Sequence, residues 1–504
     1  MDFGSEFKKI IMKIYIIKLI LIGIIFTSCD NYLEEPPIKN SNIVIETTED
    51  LDNLLNNYTN FYQTRDVTSA FGTDNNDIPV EWYDQDQGGF STYLPFFLWS
   101  VDDMAQSSYS PWQQEYSKIA YANTVLENLK KVQGTDAKKE ALKLEAHFVR
   151  AYSNFELATI YCLPFSENNK NALGLPLKKT MDYEESLTRA SLEDTFKFIE
   201  ADLEEALKTN KSKGDAWRFS LPAVNAFAAR YYLYKHDYNK AKKHSIEALK
   251  DYDILVNTAN LVDPQRSYTT YYLNESKDTV WVDILRPEIF WSRTIKAMHH
   301  EELYYTRFLN IVQRYIPSQE LIDLYEEDDL RKGYLMEYFS LFYTDSPNYS
   351  AFAHFNYSQQ ALQGPTTSEM LLIKAECQIR EGSIAEGMNT LEILRMQRFN
   401  QETYTTLEIP GSILDALSTI IDERRRENPF VWRWYDIKRL NTDPDNILPP
   451  IEITRSFYPY TNGNASVGSS LIPYTLSPKD KRFAIPIPVS DIILSNGEIE
   501  QNNY

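Results

Sequence analysis

Apolar residues recur at helical spacing along most of this chain. After Thr47-Thr48-Glu49-Asp50, Leu51, Leu54, Leu55 and Tyr58 mark a first amphipathic helix. The same periodicity predicts helices over 112–132, 136–163, 192–207, 221–234 and 238–249, and again over 369–382 and 384–396. Pro164 ends the second of these. The stretch from Ala228 to Ala241 reads as a tetratricopeptide hairpin, in which small residues let two helices pack closely across a short polar turn. Between and around the hairpins the pattern lapses. Residues 64–111 are irregular and polar-aromatic, 253–360 are mixed with a helix near Ser318–Tyr325, and 400–411 and 441–480 read as loops. Phe483-Ala484-Ile485-Pro486-Ile487-Pro488 reads as extended, because each Pro disfavours helix before it. The expected fold class is mostly α, a tetratricopeptide-like hairpin scaffold with long irregular loop insertions and little β.

The first 28 residues carry a different pattern. A short basic stretch from Met12 to Lys18 precedes a continuous apolar run from Leu19 to Phe26, which is the layout of a secretory signal. The run is shorter than the ~20 residues a membrane span needs. It ends in Phe26-Thr27-Ser28-Cys29, small residues before a Cys, and this resembles a bacterial lipobox in which Cys29 takes the lipid. Residues 1–11 read as an extension upstream of Met12, and Gly4-Ser5-Glu6-Phe7 reads like a cloning scar. The expected organisation is a lipoprotein signal over 1–28, an acidic Pro-bearing tether over 29–46, and one domain over 47–504. Within that domain lie a helical-hairpin part to about 250, a mixed insertion to about 365, and a C-terminal helical and loop part.

Composition narrows the function. The 504 residues carry a net charge of −21, which argues against nucleic acid as partner, since phosphate contacts need clustered cations. Three Cys are no disulfide framework, and Cys162 and Cys377 read as small buried hydrophobes, although one bridge between them stays open. His299-His300-Glu301-Glu302 is not a zinc motif, and there is neither a Gly-x-Ser-x-Gly nor a P-loop. The loop opening at Asp84-Gln85-Asp86 fails as an EF-hand because Pro95 stands where the bidentate Glu belongs. No cofactor and no catalytic set is expected. The Arg424-Arg425-Arg426 run is flanked by acids and reads as a structural ion-paired turn, with Trp434 and Tyr435 in the core beside it. The excess is aromatic: 35 Tyr, 25 Phe and 8 Trp, more than a core alone requires.

Four ordered segments together resemble the SusD/RagB family of Bacteroidetes nutrient-uptake lipoproteins. They are Cys29 to Pro36; Glu145 to Tyr152 with Gly174-Leu175-Pro176-Leu177 and Arg189 to Glu193; Asp422 to Arg439; and Ile485 to Pro488 with Gln501-Asn502. The chain departs from the family pattern at Cys162-Leu163-Pro164 and at Asn428 to Trp432. The resemblance implies a surface-exposed, non-catalytic outer-membrane lipoprotein anchored through Cys29. It implies a TonB-dependent SusC-like transporter as partner, with the lipoprotein as its lid, and an oligosaccharide cargo. Peptide cargo is the alternative, and a tethered glycoside hydrolase a third reading. Sugar rings stack on Trp and Tyr while polar side chains hydrogen-bond the hydroxyls. Two segments carry that mix: Trp82, Tyr83, Asp84, Tyr93 and Trp99, and then Trp281, Asp283, Trp291 and Arg293.

Overall fold

The computed structural model describes residues 45–64, 71–107, 110–182, 184–261, 267–273, 279–285, 301–310, 315–331, 337–338, 350–351 and 360–504. Cys29, Trp291 and Arg293 lie outside them. Eleven helices organise the fold: α1 (Thr48–Leu55), α2 (Trp112–Asn128), α3 (Asp136–Tyr161), α4 (Leu192–Ala206), α5 (Leu221–Tyr234), α6 (Tyr238–Asp251), α7 (Thr367–Arg380), α8 (Ile384–Arg395), α9 (Ile413–Glu427), α10 (Trp432–Leu440) and α11 (Val489–Leu494). Side chains set the starts of seven of them. Thr47 and Asp50 close a capping box on α1, and Ser191, Ser220, Thr366 and Ser412 each accept from a first-turn N–H.

The scaffold is a run of antiparallel hairpins. Helix α2 packs on α3, α3 on α4, α5 on α6 and α7 on α8. Helix α6 also packs on α7, although 115 intervening residues separate them. The hairpin array is therefore continuous in space where the sequence is interrupted, and residues 252–366 leave and rejoin it between two touching helices. Small residues make this close approach possible: Ala223, Ala226, Ala228 and Ala229 of α5 and Ala241 and Ala248 of α6 are fully buried. Tyr231, Tyr232 and Tyr234 are buried against the same hairpins. Cys162 and Cys377 are buried free thiols.

Two readings of irregular segments need correction. Residues 71–105 are not a projecting loop. They form short helices, Val80–Gln85, Gln87–Phe90, Leu94–Phe97 and Val101–Ala105, whose apolar side chains enter the main core. The 441–480 region is not all loop either: Ile453–Phe457 and Ile472–Leu476 pair antiparallel, with Ile453, Arg455 and Phe457 facing inward. The two corrections have one cause. The buried Arg455 guanidinium donates to the carbonyls of Phe71, Phe97 and Thr73, lies 3.9 Å above the Phe97 ring, and so pins the first segment under the second.

The family-like segments form the buried framework. Arg150 pairs with Asp202, and Arg218 with Glu145. Arg439 reaches Glu376 with both Nη atoms at 2.7 and 2.8 Å, while Arg424 and Arg439 share Asp436. Lys438, fully buried, donates to the carbonyls of Thr159, Cys162 and Phe483, satisfying the open C-terminus of α3. Near the C-terminus, Gln501 exchanges two hydrogen bonds with the Ile487 backbone, and Asn502 bridges Arg189 to the Tyr161 and Ile485 carbonyls.

Candidate functional site

Trp82, Tyr83, Tyr93 and Trp99 are 2, 4, 7 and 1 % exposed, so the stacking role expected of them is overturned. A ring enclosed on both faces has no face left for a sugar. Tyr83 packs edge-on against Phe457, Tyr93 stacks on Phe71, and Trp99 donates its indole N–H to the Gly72 carbonyl at 3.0 Å. Asp84 alone of that set is exposed, and it accepts from the Tyr458 hydroxyl at 2.8 Å. Trp281 and Asp283 lie on the strand Thr279–Leu285, paired with Tyr271 and Thr269 of Ser267–Leu273. Trp112, at the start of α2, is buried edge-on against Tyr161.

Among the described residues the exposed large aromatics are Tyr58, Trp217 and Tyr504. The first two meet. The Tyr58 ring stacks on Tyr62 with centroids 4.5 Å apart and planes 10° from parallel, and Trp217 stands edge-on to Tyr58 at 6.0 Å. Tyr62 in turn meets Phe308 edge-on. Amides line this ladder. The Trp217 indole N–H donates to Asn56 Oδ1 at 3.3 Å, and Asn60 Nδ2 donates to the Tyr121 hydroxyl at 3.0 Å.

Several elements fix the ladder. Phe61 is buried beneath it and tilts against Tyr121. The Phe308 N–H donates to the Tyr62 carbonyl at 2.6 Å, and the Thr306 N–H to the Ala216 carbonyl at 2.7 Å. Beside Trp217, Arg218 spans Glu145 and Asp52. Burial raises the Asp52 carboxyl, but the hydrogen bonds and charges of Lys138 and Arg218 outweigh it and hold Asp52 below its ordinary range. Burial also raises the Tyr58 hydroxyl, with a smaller contribution from Tyr62, so the Tyr58 ring stays neutral at ordinary pH. The arrangement offers flat apolar faces bordered by amides. It presents no paired nucleophile and base, and among the described residues no group of three or more His, Cys, Asp or Glu is placed to hold a metal.

The sequence carried a faint signal for this site. Asn56-Asn57-Tyr58-Thr59-Asn60-Phe61-Tyr62 alternates amides with aromatics, and Trp217 sits in a loop beside Gly214 and Asp215. Tyr58 falls at helical spacing from Leu51, Leu54 and Leu55, and that reading assigns it to a buried face.

Residues 31–233 match a SusD-like family model described as starch-binding and associating with the outer membrane. No curated protein matches. Solved structures share the fold. A putative sugar binding protein from Bacteroides vulgatus aligns over 91 % of this chain and 98 % of its own, at 16 % identity and TM-score 0.60. A SusD-like carbohydrate binding protein from the same organism aligns over 90 and 98 %, at 17 % identity and TM-score 0.60. A SusD superfamily protein from Bacteroides thetaiotaomicron aligns over 91 and 100 %, at 17 % identity and TM-score 0.58. No helix among the described residues is long and apolar enough to cross a membrane. The chain is thus similar to the SusD-like family model over residues 31–233 and shares the fold of SusD-like structures over most of its length.

Proposed function

We propose that this protein is a surface-exposed, non-catalytic lipoprotein of the outer membrane that captures oligosaccharide and passes it to a TonB-dependent, SusC-like transporter. Lipid on Cys29 anchors it, and the cargo docks on the Tyr58–Trp217 ladder. The observation that carries the reading is this pair of touching, solvent-facing rings bordered by Asn56 and Asn60. Such a surface suits the C–H face of a sugar and its ring of hydroxyls. The sugar-binding descriptions of the family model and of the Bacteroides vulgatus structures support the same class of ligand.

Affinity gel electrophoresis against a panel of polysaccharides tests it. At least one glycan retards the native protein, without release of reducing sugar. Retention by peptides and by no glycan transfers the cargo to peptide; release of reducing sugar overturns the non-catalytic part. Cys29→Ala yields protein that no longer fractionates with membranes; continued membrane association contradicts the anchor.

A further inference from the structure

A second concave site lies on the hairpin scaffold and shares no lining residue with the ladder. It is a groove of about 560 Å³, within the ~300–1,000 Å³ typical of small-molecule sites. Four segments converge on it: the loop 163–169 after α3, the α5–α6 turn, the turn 441–446 after α10, and the turn 478–480.

Its floor is fixed. His236 bonds through Nε2 to the Arg439 carbonyl at 2.8 Å. A carbonyl only accepts, so Nε2 carries the proton. Burial lowers the ring's pKa and keeps it neutral, which makes Nδ1 an acceptor. Asp443 accepts from the Tyr238 hydroxyl at 2.9 Å and from Arg380 at 2.7 Å.

Two of the five non-glycine residues with left-handed backbone, among those described, line this groove: His236 at φ +63° and Asn446 at φ +49°. His236 closes α5 as its left-handed C-cap, with the Asp237 N–H bonded to the Tyr232 carbonyl at 2.9 Å, and Asn446 turns the chain after α10, so both backbones are held in fixed positions at the groove. The rim is exposed and polar, with Asn168, Asn446 and Lys479 around the half-buried Phe165 ring. Charges are largely matched within the protein: Lys235 pairs with Glu200, Asp480 with Arg482, and Glu167 with Lys170. The groove therefore offers dipoles, a ring and little net charge. That chemistry recognises a neutral polyhydroxylated chain rather than an anion or an apolar tail.

We propose that this groove is a second carbohydrate site, taking a short neutral oligosaccharide independently of the ladder; this rests on the glycan-binding reading above. Titration calorimetry tests it, using an oligosaccharide cut from the polysaccharide that retards the native protein. The comparison uses native protein, Trp217→Ala, and a groove variant carrying Asn168→Ala and Asn446→Gly. Both groove positions are exposed, and Gly keeps the left-handed turn, so the variant retains the native melting temperature. Native protein binds two ligands per chain. The groove variant binds one, with at least a tenfold loss at the missing site, and Trp217→Ala binds one at the other. A native stoichiometry of one that the groove variant leaves unchanged overturns the second site and leaves glycan binding standing. Native protein that binds no glycan of the panel overturns both. Asn168→Trp, which fills the groove mouth from the rim, must reproduce the groove variant's loss; undiminished two-site binding by it also overturns the proposal.

Discussion

Lys438 shows how much one buried side chain organises. Its ammonium satisfies three carbonyls from two chain segments in a place closed to water. Lys438→Met keeps the stem and removes the donors, leaving those carbonyls unpaired. A loss of about 3 kcal/mol or more is expected, read as a lower urea midpoint with unchanged slope. Glu156 gives the pH dependence. It is fully buried, accepts from Gln363 and Tyr435, and burial lifts its pKa from 4.5 to about 7 despite Arg230. A carboxyl raised on folding contributes stability that is complete below its unfolded pKa and is lost as pH rises through the folded one. Stability conferred by Glu156 therefore declines between about pH 4.5 and pH 7. Glu156→Gln keeps an acceptor for both partners and flattens that slope in urea melts at pH 5 and pH 7. An unchanged slope contradicts the assignment. The opposite sign holds for Glu376, held at about 2: its burial is outweighed by Arg439 and Arg380, and its contribution is lost as pH falls below 4.5.

At the scale of elements, the α7–α8 hairpin depends on one missing methyl. A Cβ on Gly387 of α8 would stand 2.5 Å from Ile379 Cγ1 and 2.8 Å from the Ala375 carbonyl of α7. Gly387→Ala raises helix propensity, yet here it forces the helices apart. Overpacking of this kind costs about 1–3 kcal/mol, so thermal melting should fall, whereas a rise would show that α8 shifts freely. Helices α4 and α6 were legible in the sequence because each buries one stripe that repeats every turn, whereas α5, buried on nearly every face, was legible by its run of small and apolar residues. Arg424, Arg425 and Arg426 read correctly as paired but not as bridging: Arg424 reaches Asp436, and Arg425 reaches Asn75 across 350 residues. The 71–105 segment misled for a similar reason. Its mixture of Trp, Tyr and Asp looks like a ligand wall, and residues more than 200 positions away, Tyr315, Arg433, Arg455 and Phe457, turn it into core.

The whole molecule places function where local pattern is weakest. Helices α6 and α7 touch, so the hairpin array closes over the gap in sequence, and described residues of that gap such as Tyr304, Tyr305 and Tyr315 pack into its core. The motifs that carry the family resemblance, Arg150, Asp436, Arg439, Gln501 and Asn502, hold the framework together, and of these Arg439 meets the groove through its carbonyl, bonded to His236. They report fold, while the proposed cargo site rests on surface residues such as Tyr58 and Trp217, which only the folded chain brings together. The decisive measurement is calorimetric titration of native protein and of Trp217→Ala with the glycan that retards it on a gel. Trp217 is 39 % exposed, so its loss should leave the melting temperature within a degree or two while weakening one binding event at least tenfold, about 1.4 kcal/mol. Unaltered affinity and stoichiometry in a folded Trp217→Ala protein would contradict the account.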